Sequence, residues 1–151
     1  MTLTTPNLDE MTVQMDREIC IQANLANSFD ALVEQIGAEH TAPDGAPMPM
    51  TLEAWPGGRW FRDLGDDNGH HWGHVQAIKR PTLLEISGPL FMSYAVAANV
   101  QYRLTEAADG TLLTMRFSAL GLIPDEHRQG MEGGWMHLMH QVKTAAEGKS
   151  R

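Results

Sequence analysis

The residues with the clearest potential for chemistry form a histidine cluster in the middle of the chain. His70, His71 and His74 follow two consecutive aspartates, and imidazoles and carboxylates are common ligands of Zn²⁺. On a regular strand, His70 and His74 are expected to point to the same side as Trp72. Positions i and i+4 of a strand lie about 13 Å apart, so these two imidazoles need a bulge to share one ion. The pattern therefore favours a polar strand with one histidine at a cavity mouth over a metal site.

Three further histidines fall in the C-terminal segment. His137 and His140 have a spacing that suits a shared metal on a helix, but no carboxylate or cysteine lies at a matching helical position. They are interpreted as partly exposed helix residues. His127, beside Glu126, favours a solvated helix face over an acid and base pair. We predict no metal and no other cofactor.

Motifs for covalent or nucleotide chemistry are missing from the sequence. It contains no G-x-S-x-G turn that would present a serine nucleophile. Its one cysteine, Cys20, has the opposite parity to Ile19 and Ile21 and is expected to be inert. The Gly57-Gly58 pair lacks the downstream glycine and the Lys-Ser/Thr pair of a phosphate-binding loop. A hairpin turn explains these two glycines better.

The elements that must position these residues follow from the hydrophobic pattern. Apolar residues alternate over residues 12–22, which predicts a half-buried strand. They recur at helical spacing from Leu25 to Ile36, directly after the capping residue Asn24. A proline-rich loop over residues 39–50 follows. The remaining pattern predicts six strands, at residues 51–55, 59–64, 70–78, 83–87, 94–106 and 112–120.

A long amphipathic helix is predicted from near Pro124 onward. Gly130, Gly133 and Gly134 interrupt it at a cost of about 1 kcal/mol each relative to alanine. Close approach of the helix backbone to the sheet would compensate for them, and so would room left for a ligand. The remaining alternative is a regular helix that begins only near Trp135.

Five short motifs occur in order along residues 12–146. They are Phe29-Asp30-Ala31-Leu32, Pro56-Gly57-Gly58-Arg59-Trp60, Gly73-His74-Val75 with Arg80-Pro81, Gly110-Thr111-Leu112-Leu113-Thr114, and Gly134-Trp135. In this order they resemble the helix-grip (START-like, Bet v 1-like) superfamily, and within it the bacterial SRPBCC domains related to the C-terminal domain of the activator of Hsp90 ATPase. The resemblance implies an α+β fold, in which a curved antiparallel sheet of about six or seven strands wraps around a long C-terminal helix.

The resemblance also implies a deep, largely apolar pocket between the sheet and the last helix, which the superfamily uses for lipids, polyketides, plant hormones and other hydrophobic molecules. Such a pocket needs large apolar walls and a few polar groups. Phe91 belongs to the apolar set, although any single Trp or Met can equally be plain core. The candidate ligand-binding residues are Trp55, Arg59, Trp60, Trp72, His74, Met92, Tyr94, Met131, Trp135 and Met139.

The function expected from these observations is the binding of a small hydrophobic molecule. The first alternative is an enzyme of the cyclase or hydrolase type, with His74 as base, Tyr94 as hydrogen-bond donor and Arg59 as anion anchor. The second alternative is a chaperone-linked interaction module like the Hsp90 activator.

Composition narrows the class of partner and the organisation of the chain. A formal net charge of −8 over 151 residues disfavours a nucleic acid partner, and no apolar run is long enough for a membrane span. The single cysteine and the lack of a signal-like start predict a cytoplasmic protein. An exposed edge strand near residues 51–55 leaves both a homodimer and a monomer open. We expect an N-terminal extension (1–11), a single domain (12–147) and a C-terminal tail (148–151).

Overall fold

The computed structural model describes residue 5 and residues 7–149. Its helices are α1 (Leu8–Met11), α2 (Leu25–Ile36) and α3 (Asp125–Lys149). Its strands are β1 (Thr12–Ile21), β2 (Thr51–Leu52), β3 (Arg59–Gly65), β4 (Asn68–Lys79), β5 (Leu83–Gly88), β6 (Val96–Ala107) and β7 (Gly110–Gly121). The strands form one antiparallel sheet in the order β1-β7-β6-β5-β4-β3-β2. The predicted α+β helix-grip fold is therefore confirmed.

The ends of the chain contain more helix than the predicted division into extension and tail suggested. Helix α1 lies inside the predicted N-terminal extension, and α3 continues through Lys149. Of those two predicted segments, residues 1–4, 6 and 150–151 lie outside the described residues. The strand predicted over residues 51–55 is shorter, because pairing with β3 ends at Leu52.

Helix α2 begins and ends where its capping residues predict. The side chain of Asn24 accepts a hydrogen bond from the backbone N–H of Asn27 at 2.8 Å, which satisfies one of the free amides of the first turn. At the other end, Gly37 donates its N–H to the carbonyls of Val33 and Glu34. The helix buries an apolar face against α3 and the sheet.

The sheet buries one face along its central strands. On β6, Val100, Tyr102 and Leu104 are buried, and the intervening Arg103 is exposed. This period of two is typical of a strand with one face on the core. The buried face of the sheet packs against α2 and α3, and the main core lies between the sheet and these two helices.

Helix α3 is continuous through all three of its interior glycines. The alternative in which the helix begins only near Trp135 is therefore wrong. A Cβ atom built on Gly130, Gly133 or Gly134 would meet no heavy atom within 4 Å outside the neighbouring helix backbone. Close backbone approach to the sheet does not explain these glycines either, and open space remains beside each of them.

Polar contacts tie α3 to the elements on either side of it. Lys149 pairs with Glu34 of α2 at 2.8 Å, and the ammonium of Lys143 donates to the carbonyl of Cys20 on β1 at 2.8 Å. Arg17 of β1 pairs with Glu132 at 2.9 Å. The contacts of Lys143 and Lys149 hold the C-terminal half of the helix on β1 and α2, and the Glu132 pair holds the N-terminal half on β1. Residues of the N-terminal half also line a cavity.

Candidate functional site

A cavity of about 430 Å³ lies between the N-terminal half of α3, strands β3 and β4, and the loop after α2. This volume falls in the usual range for small-molecule sites, about 300–1,000 Å³. Most of the lining is aromatic, thioether or aliphatic, with a few polar side chains. The lining residues are His40, Thr41, Pro43, Met48, Trp60, Trp72, Phe91, Glu126, His127, Gly130, Met131, Gly134, Trp135, His137 and Leu138.

Aromatic rings form one continuous wall of the cavity. The ring centroids of Trp60 and Trp72 are 4.9 Å apart, and those of Trp72 and Phe91 are 6.3 Å apart. Phe91 in turn lies 6.2 Å from Trp135 of α3. All three contacts are close to edge-to-face, the arrangement that aromatic quadrupoles prefer. The wall is therefore held by ring-to-ring packing across β3, β4, the loop between β5 and β6, and α3.

The turn before β3 places Trp60 in this wall. A Cβ atom on Gly58 would lie 1.8 Å from the carbonyl oxygen of Glu53, so only glycine fits there. Glu53 then accepts two side-chain hydrogen bonds from the guanidinium of Arg59, at 2.9 Å each, and this contact lowers the pKa of Glu53 to about 2. The next residue, Trp60, points inward and donates its indole N–H to the carbonyl of Ile36 at 2.7 Å.

A bulge in β4 decides which of the clustered histidines face the cavity side. Trp60 pairs with Gly73 and the next residue, Phe61, pairs with His71, so Trp72 is an extra residue on β4. A bulge of this kind breaks the alternation of sides. Trp72 and Gly73 are both buried, and His74 is exposed. The expectation that His70 and His74 share a face is therefore wrong.

The clustered histidines have different surroundings on the two faces of β4. His70 accepts a hydrogen bond at Nδ1 from the indole N–H of Trp72 at 2.8 Å, and the hydroxyl of Ser93 lies 3.3 Å from its Nε2. His71 and His74 lie side by side on the outer face with ring centroids 5.8 Å apart. In the part of the chain that the structure describes, no group of three or more potential ligands is placed to hold a metal ion.

Polar side chains lie at two separate ends of the cavity. At the end formed by the loop after α2, the hydroxyl of Thr41 is 2.9 Å from Nε2 of His137, and His40 lies beside this pair. At the end formed by the start of α3, the hydroxyl of Tyr94 is 2.8 Å from Nδ1 of His127. Burial of the Tyr94 phenol raises its pKa, which keeps the hydroxyl protonated.

His40 is uncharged near neutral pH for an identifiable reason. Burial lowers its pKa from 6.5, and the nearby His137 and Arg62 lower it further, while the hydrogen bond to the Met48 carbonyl opposes them. Its Nδ1 lies 3.2 Å from that carbonyl oxygen. Since a carbonyl can only accept, Nδ1 carries the proton, and Nε2 of the neutral ring is an acceptor.

Two of the three interior glycines of α3 border the cavity. Gly130 and Gly134 are among its lining residues, and Gly133 is not. A Cβ atom at either lining position would meet no heavy atom within 4 Å, so the structure leaves room for a larger side chain at the border of the cavity. Glycine at both positions lowers helix propensity.

Two buried polar atoms among the described residues have no hydrogen-bond partner, the hydroxyl of Tyr102 and Nε1 of Trp135. Burial raises the pKa of Tyr102 far above its usual range, so this phenol cannot act as a base. Trp135 packs its ring 5.0 Å from that of Phe117 on β7. An unpartnered buried donor costs about 1–3 kcal/mol.

The candidate residues predicted from the sequence have four different placements. Trp60, Trp72, Met131 and Trp135 line the cavity. Met92 and Met139 are fully buried in the core, and Tyr94 reaches the rim only through His127. The remaining three, Trp55, Arg59 and His74, are exposed and lie outside the cavity lining.

The expectation that these last three residues line the cavity is wrong for separate physical reasons. Trp55 precedes the turn before β3 and is 57% exposed. Arg59 has the opposite parity to Trp60, so its guanidinium lies at 4.7 Å over the ring of Phe61 on the outer face. The bulge at Trp72 moves His74 outward.

Sequence reasoning missed the residues that the loop after α2 contributes, which are His40, Thr41, Pro43 and Met48. A signal was present, because a loop of this length without secondary structure is usually functional or disordered. His127 and His137, for which the sequence predicts a partly exposed helix face, also line the cavity.

Fold and cavity together define the class, a helix-grip α+β domain with a pocket between its sheet and its C-terminal helix. A family model described as activator of Hsp90 ATPase homolog 1-like protein matches residues 45–147. This span is more than half of the chain, and the chain belongs to that family. A comparison with curated proteins finds no significant match.

Solved structures with the same fold are distant in sequence. A protein from Rhizobium leguminosarum superposes with a TM-score of 0.70 at 16% identity, covering 90% of this chain and 95% of that one. Ara h 8.0201 gives 0.62 at 15% identity, with 89% and 97% covered. The di-domain ARO/CYC protein StfQ of the steffimycin biosynthetic pathway gives 0.66 at 12% identity, with 94% of this chain and 53% of StfQ covered. The match therefore spans about half the length of StfQ, and these likenesses show the fold alone.

Within the described residues, no helix is both long enough and apolar enough to cross a membrane.

Proposed function

We propose that this protein binds a small, largely apolar molecule in the cavity between its sheet and α3. The observation that carries the proposal is the cavity of about 430 Å³ itself, which is bordered by two helix-disfavouring residues, Gly130 and Gly134. Alanine at either position would fit without a clash and would stabilise the helix by about 1 kcal/mol. Glycine is expected there if the space itself is used.

The chemistry of the cavity wall supports an apolar ligand. The rings of Trp60, Trp72, Phe91 and Trp135 offer flat apolar surface, and Met48 and Met131 add flexible thioethers. Aromatic and thioether side chains of this kind suit adaptable recognition of hydrophobic molecules. StfQ, which shares this fold, is an ARO/CYC protein of a biosynthetic pathway, and this likeness is consistent with a small organic molecule as the ligand here.

Binding without a reaction is favoured over the cyclase or hydrolase alternative. The residues that the sequence suggested as base and anion anchor, His74 and Arg59, lie outside the cavity. Of the imidazoles that do line it, those of His127 and His137 lie within hydrogen-bond distance of the hydroxyls of Tyr94 and Thr41. The chaperone-linked alternative is not proposed, since it depends on the name of the family rather than on a contact surface.

The proposal is tested by filling the cavity from the helix side. The fluorescent probe N-phenylnaphthylamine is titrated into the wild-type protein, a Gly134→Leu variant and a Gly133→Leu variant. Both substitutions replace a helical glycine, but only position 134 borders the cavity, so Gly133→Leu is the matched control. We expect wild type and control to bind the probe alike and Gly134→Leu to lose at least about tenfold in affinity.

Thermal unfolding gives a second readout of the same experiment. A ligand that binds only the folded state raises the melting temperature with concentration. Wild type and Gly133→Leu should show this rise with the probe, and Gly134→Leu should not. Equal affinity of all three proteins for the probe would mean that it binds elsewhere, and the proposed function would then lose its site.

A further inference from the structure

The cavity is elongated along the axis of α3. His127 and His137 both line it, and ten residues of α-helix separate their Cα atoms by about 15 Å. The aromatic wall runs in the same direction, since His40 lies 5.6 Å from Trp72 and Phe91 lies 6.3 Å from His127, measured between ring centroids. Helix α3 and the aromatic wall therefore extend between the same two ends of the cavity.

Polarity is distributed unevenly along this length. The polar side chains of the lining lie at the two ends, His40, Thr41 and His137 at one and Glu126 and His127 at the other. Between them the helix presents only Gly130, Met131, Gly134 and Trp135, opposite the rings of Trp72 and Phe91. The middle of the cavity is thus lined by aromatic and thioether side chains, and two of the helix residues there are glycines.

The end of the cavity formed by the loop after α2 is suited to a hydrogen-bond donor on the ligand. His40 donates through Nδ1 to the Met48 carbonyl, so its Nε2 is an acceptor in the neutral ring. No hydrogen bond within the described part of the protein uses Nε2 of His40. A ligand hydroxyl can donate to it.

The helix end is also suited to an uncharged polar group. His127 shares its Nδ1 with the hydroxyl of Tyr94, which leaves Nε2 for a ligand. Glu126 lines the same end, and its carboxylate repels an anion while it can accept from a hydroxyl. The net charge of −8 also disfavours the binding of anionic ligands.

We infer that the cavity takes an elongated, uncharged molecule with a hydroxyl group at each end and an apolar middle. This inference rests on the proposed function and specifies the ligand class for the same cavity. His40 and His127 recognise the two hydroxyls, and the aromatic and thioether lining between them contacts the apolar middle.

The test uses three probes of one shape, which are trans-stilbene, its para-monophenol and its para,para′-diphenol. Their affinities for the full-length protein are measured by displacement of N-phenylnaphthylamine at neutral pH. We expect each hydroxyl to tighten binding by about threefold to tenfold, the effect of one net hydrogen bond. The order of affinity is therefore diphenol, monophenol, parent.

Two variants separate the ends. His127→Leu should make the diphenol and monophenol bind alike, because one hydroxyl loses its partner. His40→Leu should remove the gain in affinity from the hydroxyl at the other end of the cavity, so that the diphenol and the monophenol again bind alike. His140→Leu is the matched control, because His140 is exposed on α3 and does not line the cavity, and it should retain the wild-type order. His127 is exposed as well, so its substitution tests the inference even if the His40 variant folds poorly.

The outcomes distinguish the inference from the proposed function. Binding of parent stilbene within about twofold of the diphenol would overturn the recognition of two hydroxyls and leave the apolar cavity intact. Retention of the full diphenol gain in His127→Leu would also overturn it. Failure of all three probes to displace N-phenylnaphthylamine would overturn the proposed ligand shape, whereas failure of N-phenylnaphthylamine itself to bind would overturn the proposed function.

Discussion

His70 holds Trp72 in the cavity wall. The indole N–H of Trp72 donates to Nδ1 of His70 at 2.8 Å, and the two residues are brought to the same side of β4 by the strand itself. The rings meet nearly edge to face with centroids 6.3 Å apart. His70 therefore acts as a positioning residue for an aromatic wall.

Replacing this acceptor should loosen the wall. In His70→Leu the indole N–H of the buried Trp72 loses its partner, which should lower the free energy of unfolding by about 1–3 kcal/mol. Affinity for N-phenylnaphthylamine should fall several-fold as the indole leaves its position. Urea denaturation and a fluorescence titration measure the two effects.

His71→Leu is the control for that substitution, because His71 is exposed on the outer face of the same strand. It should change neither probe affinity nor stability by more than about 0.5 kcal/mol. Equal effects of the two variants on probe binding would show that His70 does not position the wall.

The interior glycines of α3 predict an opposition between stability and binding. Alanine at positions 130, 133 or 134 meets no neighbouring atom and should stabilise the protein by about 1 kcal/mol each, or roughly 2–4 °C in melting temperature. Only Gly133→Ala should leave probe affinity unchanged, since residues 130 and 134 line the cavity. Loss of stability in all three variants would contradict the open space found beside the helix.

Trp60 joins the wall to the end of α2. Its indole N–H donates to the carbonyl of Ile36 at 2.7 Å, and its side chain is buried. Trp60→Phe retains an aromatic ring but leaves this carbonyl without its partner and creates a small cavity. We expect a loss of about 2–4 kcal/mol in the free energy of unfolding, measured in urea. Wild-type stability in this variant would show that the contact contributes nothing.

His40 should make stability depend on pH. Its pKa is lowered in the folded protein, chiefly by burial, with His137 and Arg62 adding unfavourable charge. Above the unfolded-state pKa of about 6.5, the His40 imidazole is neutral in both the folded and the unfolded state, so it adds no pH dependence to the free energy of unfolding. As the pH falls below about 6.5 the unfolded state takes up the proton first, and the stability present at neutral pH is lost until the folded pKa is passed.

The measurement is the free energy of unfolding between about pH 8 and pH 5 for wild type and His40→Phe. The wild-type stability should fall more steeply below about pH 6.5 than that of the variant. The other histidines remain in both proteins, so their contribution to the slope largely cancels. Identical slopes would mean that His40 is solvated and charged like a surface residue.

The fold could be predicted from the sequence because its signals are periodic and local. The cap at Asn24, the helical spacing up to Ile36 and the alternation on β6 and β7 each specify an element without knowledge of its neighbours. The glycines of α3 likewise indicated either ligand space or close packing from the sequence alone. The choice between those two depends on how far the helix stands from the sheet, which no local pattern contains.

The site was harder to predict because it depends on breaks in those patterns. Alternation assigns side chains to faces only while a strand is regular, and the bulge at Trp72 reverses the assignment for His74. Gly73 was the available signal, since a glycine inside a strand often marks a bulge or a close approach. His40 and Thr41 belong to a loop, where sequence periodicity carries no information about direction.

The most direct test of ligand binding in this cavity uses the indole N–H signals of the four tryptophans in a ¹H–¹⁵N correlation spectrum. Trp60, Trp72 and Trp135 line the cavity, and Trp55 is exposed outside it. On titration with the para,para′-diphenol of stilbene, we expect the first three signals to shift together to saturation while the Trp55 signal stays in place. A shift confined to Trp55, or no shift of the three cavity signals while the diphenol is bound, would contradict binding in the cavity.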